Sequence, residues 1–146
     1  MRIRPAEIRD LRTVYALLCA LEDCALPEAA FAETYAHNLA QPSIRCLVAE
    51  EGGIVRGFVS LHMDRHLHHA ALVGEIQELI VEEAWRSRGV GVELLRAAQH
   101  EARAAGCSHL ELNSGFPRTR AHVFYERNGW AKDHYNFTYK RLWEDA

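Results

Sequence analysis

The chain has 146 residues, 49% hydrophobic and 25% charged, with a formal charge of -3 at pH 7 and a pI near 6.3. This balance suits a single globular domain over 1–146, and the 17 scattered Lys and Arg residues leave no basic footprint for nucleic acid. The charged opening MRIRPAEIRDLR argues against a signal peptide, and no apolar run approaches the roughly 18 residues of a membrane span, so the expectation is a cytoplasmic protein with no membrane partner.

In chain order, residues around Ile3 predict a short strand. Leu11, Val14, Leu17, Leu18 and Leu21 recur at helical spacing and predict a helix from about Glu7 to Glu22. A second helix is expected after Pro27, through Phe31, Tyr35 and Leu39, ending near Pro42 because proline disfavours helix in the residue before it. From Ile44 the period changes. Cys46 to Glu50, a turn at Glu51-Gly-Gly53, and Ile54 to about His66 read as a hairpin, followed by a strand over Leu72 to Glu82 antiparallel to its predecessor. A helix with Leu94, Leu95, Ala98 and Ala102 on one face follows, with Gly106 as its stop. A strand over Ser108 to Asn113, a helix over Arg118 to Asn128 and a last strand over Trp130 to Arg141 complete the reading. Cys19, Cys24, Cys46 and Cys107 have no metal-type spacing and are expected as reduced, buried thiols.

Two stretches carry chemistry. In the first, the strand ending at Val81 feeds a loop, Arg86-Ser-Arg-Gly-Val-Gly91, that opens into a helix. Amides of a helix's first turn lack intrahelical partners and the helix dipole is positive there, so the place suits a phosphate, with Arg86 and Arg88 adding charge. The loop lacks the Lys-Ser/Thr end of a P-loop and does not open a βαβ unit, which disfavours a nucleotide fold of either kind. The second stretch puts His62, His66, His68 and His69 within eight residues. If extended, it projects His62, Asp64, His66 and His68 to one face and Met63, Arg65 and Leu67 to the other. A metal site, a proton-handling surface and an ordinary strand all remain open.

The loop Arg86–Gly91 resembles the Q/R-x-x-G-x-G/A signature of the GCN5-related N-acetyltransferases (GNAT), and Ala121-His-Val-Phe-Tyr-Glu-Arg-Asn-Gly-Trp130 resembles their second signature, A-x-x-F-Y-x-x-x-G-F. The resemblance implies an α/β fold of the GNAT type: a mixed, mostly antiparallel sheet of about six or seven strands flanked by four helices, splayed where acetyl-CoA enters. It implies the cosubstrate acetyl-CoA, with its pyrophosphate on Arg86, Ser87, Arg88, Gly89, Val90 and Gly91. The pantetheine arm would lie along Leu79, Ile80 and Val81, with Asn113 at the splay. It further implies Tyr125 as the acid that protonates the departing thiolate. Arg118 stands where the family often has asparagine.

The acceptor amine must lose a proton before attack. Glu78 is the candidate base and Glu75 the runner-up, three apart and on opposite faces of a regular strand. If the hairpin turns at His69 to Ala71, His62 lies opposite Glu78 and Asp64 opposite Ile76. His62, Glu75 and Arg65 are candidate substrate contacts. The run Ser60 to Ala70 with Gly74 to Val81 looks like the aminoalkylphosphonate N-acetyltransferase branch, as do Asp10 to Leu21 and Asn38-Leu-Ala-Gln-Pro42. That implies a small anionic amine, bound with help from Arg65, Arg118, Arg120 or a divalent metal on the histidines. A polyamine, an amino acid or a protein N-terminus is the alternative acceptor, and a non-catalytic CoA-binding module the alternative class. The family's frequent homodimers set the expectation for assembly.

Overall fold

The computed structural model describes residues 1–144, which divide into two compact units, Met1–Leu112 and a second from Asn113 onward. The first unit contains a five-stranded sheet in the order β1 (Arg2–Pro5), β2 (Ile44–Glu51), β3 (Ile54–His66), β4 (Ala71–Val81) and β5 (Leu110–Leu112). Neighbours are antiparallel except β4 and β5, which are parallel and joined by helix α3 (Val90–Ala105). The α/β class and the mixed, mostly antiparallel sheet expected from sequence are present. The count is five strands, not six or seven, because Trp130–Arg141 forms no strand among the described residues. Its alternating Tyr135, Phe137 and Tyr139 are all strongly exposed. Such a pattern becomes a strand only where another strand supplies its backbone partners.

Helices α1 (Leu11–Glu22) and α2 (Glu28–Leu39) follow the expected periodicity. The first starts later than expected, after a 3-10 turn over Ile8–Asp10. The Asp10 carboxylate explains the delay: it accepts the Glu7 N–H at 2.8 Å and both terminal nitrogens of Arg4 at 2.8 Å, which pins the chain into a turn before the helix begins. Arg4 and Asp10 are each 6% exposed, and Arg4 Nε also reaches Glu50. A buried guanidinium of this kind is tolerable because every face of it is paired.

The sheet's two faces bury different partners. Val14, Leu17, Leu18 and Tyr35 from α1 and α2 pack with Cys46, Val48, Phe58 and Ile80. On the other face, a Cβ added at Gly57 would stand 2.8 Å from Leu94 and 3.3 Å from Val90, so the glycine lets α3 approach β3. Leu61, Leu94 and Leu95 are almost wholly buried there, and truncating Leu94 to Ala would cost about 2–5 kcal/mol. Gly106, at φ +90, ends α3 in the left-handed conformation expected of it.

The described part of the second unit is a helix, α4 (Thr119–Arg127), with irregular chain on either side. Among the described residues, no helix is long and apolar enough to cross a membrane. Cys46 is buried as expected, but Cys24 is exposed: it lies just past the end of α1, beyond its buried face.

Candidate active site

Strand β4 carries one residue too many for its partner. Ser60 pairs with Glu78 and Leu61 with Ile76, leaving exposed Gln77 as a β-bulge. Alternation therefore changes phase at Gln77. Gly74 faces Leu61 and Leu110 on the α3 side, so Glu75 points to the α1–α2 side, and Glu78, after the bulge, points there too. The expectation that Glu75 and Glu78 occupy opposite faces is thus overturned by one inserted residue.

The register of the histidine stretch is corrected as well. His62 pairs with Glu75, not Glu78, and Asp64 pairs with Val73, not Ile76. Strand β3 ends at His66, and His68 lies in a 3-10 turn, Leu67–His69, so it does not continue the strand's alternation. Arg65, exposed and one residue out of phase with His62 and Asp64, lies on the face away from Glu75 and Glu78. On β5, Glu111 pairs with Glu75, and His109 shares its face by alternation. One face of β3, β4 and β5 therefore carries Ser60, His62, Glu75, Glu78, His109 and Glu111.

Glu78 stands at the floor of a cavity of about 340 Å³ under α1 and α2, walled by Leu18, Phe31, Tyr35 and Phe58 with Glu22 at another side. Ser60, 1% exposed, donates its hydroxyl to Glu78 Oε1 and accepts the Glu78 N–H at 3.1 Å. This pair fixes the carboxylate's direction, and Ser60 is a candidate site residue that the sequence reading did not single out. A lone serine inside the apolar run Phe58-Val-Ser-Leu61 was the available signal. Tyr35 donates to the Glu7 carbonyl at 2.7 Å, and burial raises its pKa well above the ordinary phenol value. Cys46, another wall residue, has its thiol pKa pushed up to about 11, chiefly by burial and then by the Glu78 charge, which makes it a poor nucleophile.

Beyond Glu78, Leu79, Ile80 and Val81 pair with Val59, Phe58 and Gly57 on the β3 side. The ladder to β5 stops at Ile76 with Leu112, so this last part of β4 runs on without β5. Asn113 follows β5 directly, as the first residue of the second unit. After a 3-10 turn over Glu83–Trp85, Arg86 is extended and bonds the Val81 carbonyl through Nε at 3.2 Å. Ser87 has φ +62 and Gly89 φ +83, the latter as the N-cap of α3. A Cβ at Gly89 would meet nothing within 4 Å, so the glycine is needed there for its left-handed backbone and leaves open space above the first-turn amides of Val90 and Gly91. Two guanidinium groups stand over the Trp85 ring, Arg56 at 4.7 Å and Arg88 at 4.8 Å from its centre. Such contacts are cation–π attractions.

In the second unit, Tyr125 packs edge-on to Phe124, with centroids 5.4 Å apart, and 6.0 Å from Trp130. Its carbonyl accepts the Trp130 N–H at 3.1 Å. Burial raises the Tyr125 phenol above its ordinary pKa, so the group holds its proton at neutral pH.

The sequence matches the acetyltransferase (GNAT) family over residues 11–130. It is 43% identical over 136 residues to the aminoalkylphosphonate N-acetyltransferase of Salmonella typhimurium, covering 93% of this chain and 88% of that protein. Among solved structures, the fold resembles a putative acetyltransferase from Agrobacterium tumefaciens, with TM-score 0.86 and 27% identity over 96% of this chain and 99% of that one. It also resembles the aminoglycoside N-acetyltransferase AAC(6')-Iy in complex with CoA, with TM-score 0.87 and 18% identity over 97% of this chain and 94% of that one.

Proposed function

The chain belongs to the GNAT acetyltransferase family and is an N-acetyltransferase, and on that premise we propose that it moves the acetyl group of acetyl-CoA to the primary amine of a small acceptor, an aminoalkylphosphonate. The observation that carries this reading is Glu78: a carboxylate oriented by Ser60 at the floor of a cavity, one residue before the strand end and loop that the family uses for its cosubstrate. An acceptor enters as an ammonium, and Glu78 takes its proton, directly or through water, freeing the nitrogen lone pair. The nitrogen then bonds to the acetyl carbonyl carbon of acetyl-CoA, and as the carbon–sulfur bond breaks the CoA thiolate departs and the amide remains. Tyr125, protonated at neutral pH, is the proposed donor to that thiolate. The amides at the start of α3, with Arg88 beside them, are the proposed seat of the pyrophosphate, and Gly89 keeps the approach open. Tyr125→Phe is expected to lower turnover on the order of 10²-fold with acetyl-CoA affinity nearly unchanged, measured by steady-state kinetics and direct binding.

The cavity's lining favours a second acceptor chemistry. Its charged members are Glu22 and Glu78, with no Lys or Arg among the lining residues, so within it an ammonium on an apolar body is better matched than a dianion. The deciding experiment measures thiol release with aminoalkylphosphonates, alkylamines, polyamines and amino acids. A preference in kcat/KM for the phosphonates supports the first acceptor; equal or faster turnover of amines without an anionic group supports the second. Tight acetyl-CoA binding without turnover of any amine would remove the transferase reading.

A further inference from the structure

The connection between α1 and α2 closes one wall of the Glu78 cavity, and a single residue ties it to α1. The Leu26 carbonyl accepts the Tyr15 hydroxyl at 2.6 Å, and the Leu26 N–H is donated to the sulfur of Cys19 at 3.4 Å. Leu26 and the following Pro27 both line the cavity. The position of that wall therefore depends on a thiol.

A second thiol stands beside the first. Helix α1 ends with Asp23 in the left-handed conformation, φ 55 and ψ 39. The Cys24 N–H is donated to the Cys19 carbonyl at 3.1 Å, and the Asp23 N–H to the Ala20 carbonyl at 3.4 Å. This is a Schellman ending, in which the side chains joined by the longer loop meet, a contact usually made by two apolar residues. In this chain both are cysteines. With standard backbone dimensions, the bond between Cys24 N and Cys19 O holds the two Cα atoms within about 7 Å, and closer because the path bends, while a disulfide spans about 4.4–6.8 Å. The Tyr15 phenol is raised above its ordinary pKa first by a hydrogen bond with the Cys19 thiol, with a smaller contribution from Cys24, so both sulfurs lie near one hydroxyl.

The pair is also the accessible one. Cys24 is exposed and Cys19 partly so, whereas Cys46 is buried with its thiol pushed up to about 11, and Cys107 lies beside Gly74 on the α3 side of the sheet. We propose that Cys24 and Cys19 form a reversible modification site for low-molecular-weight disulfides, ending in a Cys19–Cys24 bond that shifts the Leu26–Pro27 wall of the cavity. The Cys24 thiolate attacks one sulfur of the small disulfide and expels the other as a thiolate. The Cys19 thiolate then attacks Cys24 Sγ, the protein disulfide forms, and the second small thiol departs. Two protein thiols have passed two electrons and two protons to one small disulfide, which leaves as two thiols. Bonded to Cys24, the Cys19 sulfur turns away from Leu26, whose N–H must find another partner. The effect on the acceptor rests on the function proposed above; the thiol chemistry does not.

The test incubates the full, reduced chain in glutathione buffers of rising oxidised fraction, quenches with acid, blocks free thiols with iodoacetamide in denaturant and maps the peptides by mass. Expected is a Cys19–Cys24 link that dithiothreitol reverses. Cys19→Ser should stop at a glutathione adduct on Cys24, Cys24→Ser should form no link, and Cys107→Ser should behave as the unaltered chain does. Oxidation should raise KM for the amine at least about threefold and leave acetyl-CoA affinity within about twofold, a split that general unfolding would not produce. Amide exchange over residues 23–31 reads the wall without turnover and should quicken at least about threefold on oxidation, so inactivity toward every amine would count against the acceptor reading alone. The proposal is overturned if both thiols stay free in fully oxidised glutathione, if the link joins another pair, or if oxidation leaves unchanged the exchange of that segment or the KM of an amine that is turned over.

Discussion

Glu78 and Glu111 project from the same face of one sheet, three strand residues and one neighbouring strand apart, yet their surroundings are opposite. Glu78 is covered by α1 and α2, held by one buried serine, and walled by leucine and aromatic side chains. Glu111 is half-buried at the uncovered end, and its carboxylate meets His69 and His109. The hydrogen bond from His109 holds its carboxyl below the usual carboxylate range, against a smaller opposing effect of burial. A carboxylate hydrogen-bonded by imidazole is thereby favoured in its ionised form. Helical cover over one half of the sheet face, and its absence over the other, gives two identical side chains different surroundings.

The largest expected effect breaks the covered end. Glu78→Gln should reduce kcat by about 10²–10⁴ while acetyl-CoA binding is retained, as read by single-turnover rates and calorimetry. Next comes the bulge that separates the two ends. Deleting Gln77 leaves a regular ladder with both glutamates on the same face, but removes the bend just where β4 parts from β5. The chain should fold, with acetyl-CoA affinity at least about tenfold weaker, or about 1.4 kcal/mol. Unchanged affinity would detach the bulge from cosubstrate entry. Glu75→Gln, between the two ends and opposite His62, should raise KM for the amine about two- to tenfold and leave kcat within about twofold, since removing a positioning charge affects binding more than the chemical step.

The smallest effect concerns the ion pair that anchors the covering helices. The Asp10 carboxyl is held below its usual pKa first by hydrogen bonds from Arg4, against burial, with further help from the Glu7 N–H. A depressed folded-state pKa gives stability that is present above the unfolded value and lost as pH falls through the folded one. Thermal melts should therefore weaken below about pH 4. Asp10→Asn should cost about 1–3 kcal/mol at neutral pH and flatten that acid limb.

Much of this arrangement is legible in the sequence, and the illegible parts share a cause. The helical spacing from Leu11 to Leu21, the Gly-Gly turn, the apolar run of β4 and the glycine loop before α3 are local signals, and the elements stand where those signals fall. The bulge is a one-residue event inside an apolar run. Its trace is the polar Gln77 between Ile76 and Glu78, which periodicity alone reads as ordinary alternation. The meeting of His109 and Glu111 with His66 to His69 depends on a parallel register set across α3, and no spacing in the chain encodes it. The region after Trp130 shows the converse: aromatic alternation promises a strand, and pairing decides otherwise.

Trp85, with the Arg56 and Arg88 guanidinium groups over its ring, gives the molecule an optical reporter. The chain has three tryptophans, and the other two, Trp130 and Trp143, lie in the second unit. With those two replaced by phenylalanine, all remaining indole emission originates beside the Arg86–Gly91 loop. An anion that draws Arg88 off the ring would then change the colour and yield of that emission, so occupancy of the loop could be followed in real time without a labelled ligand.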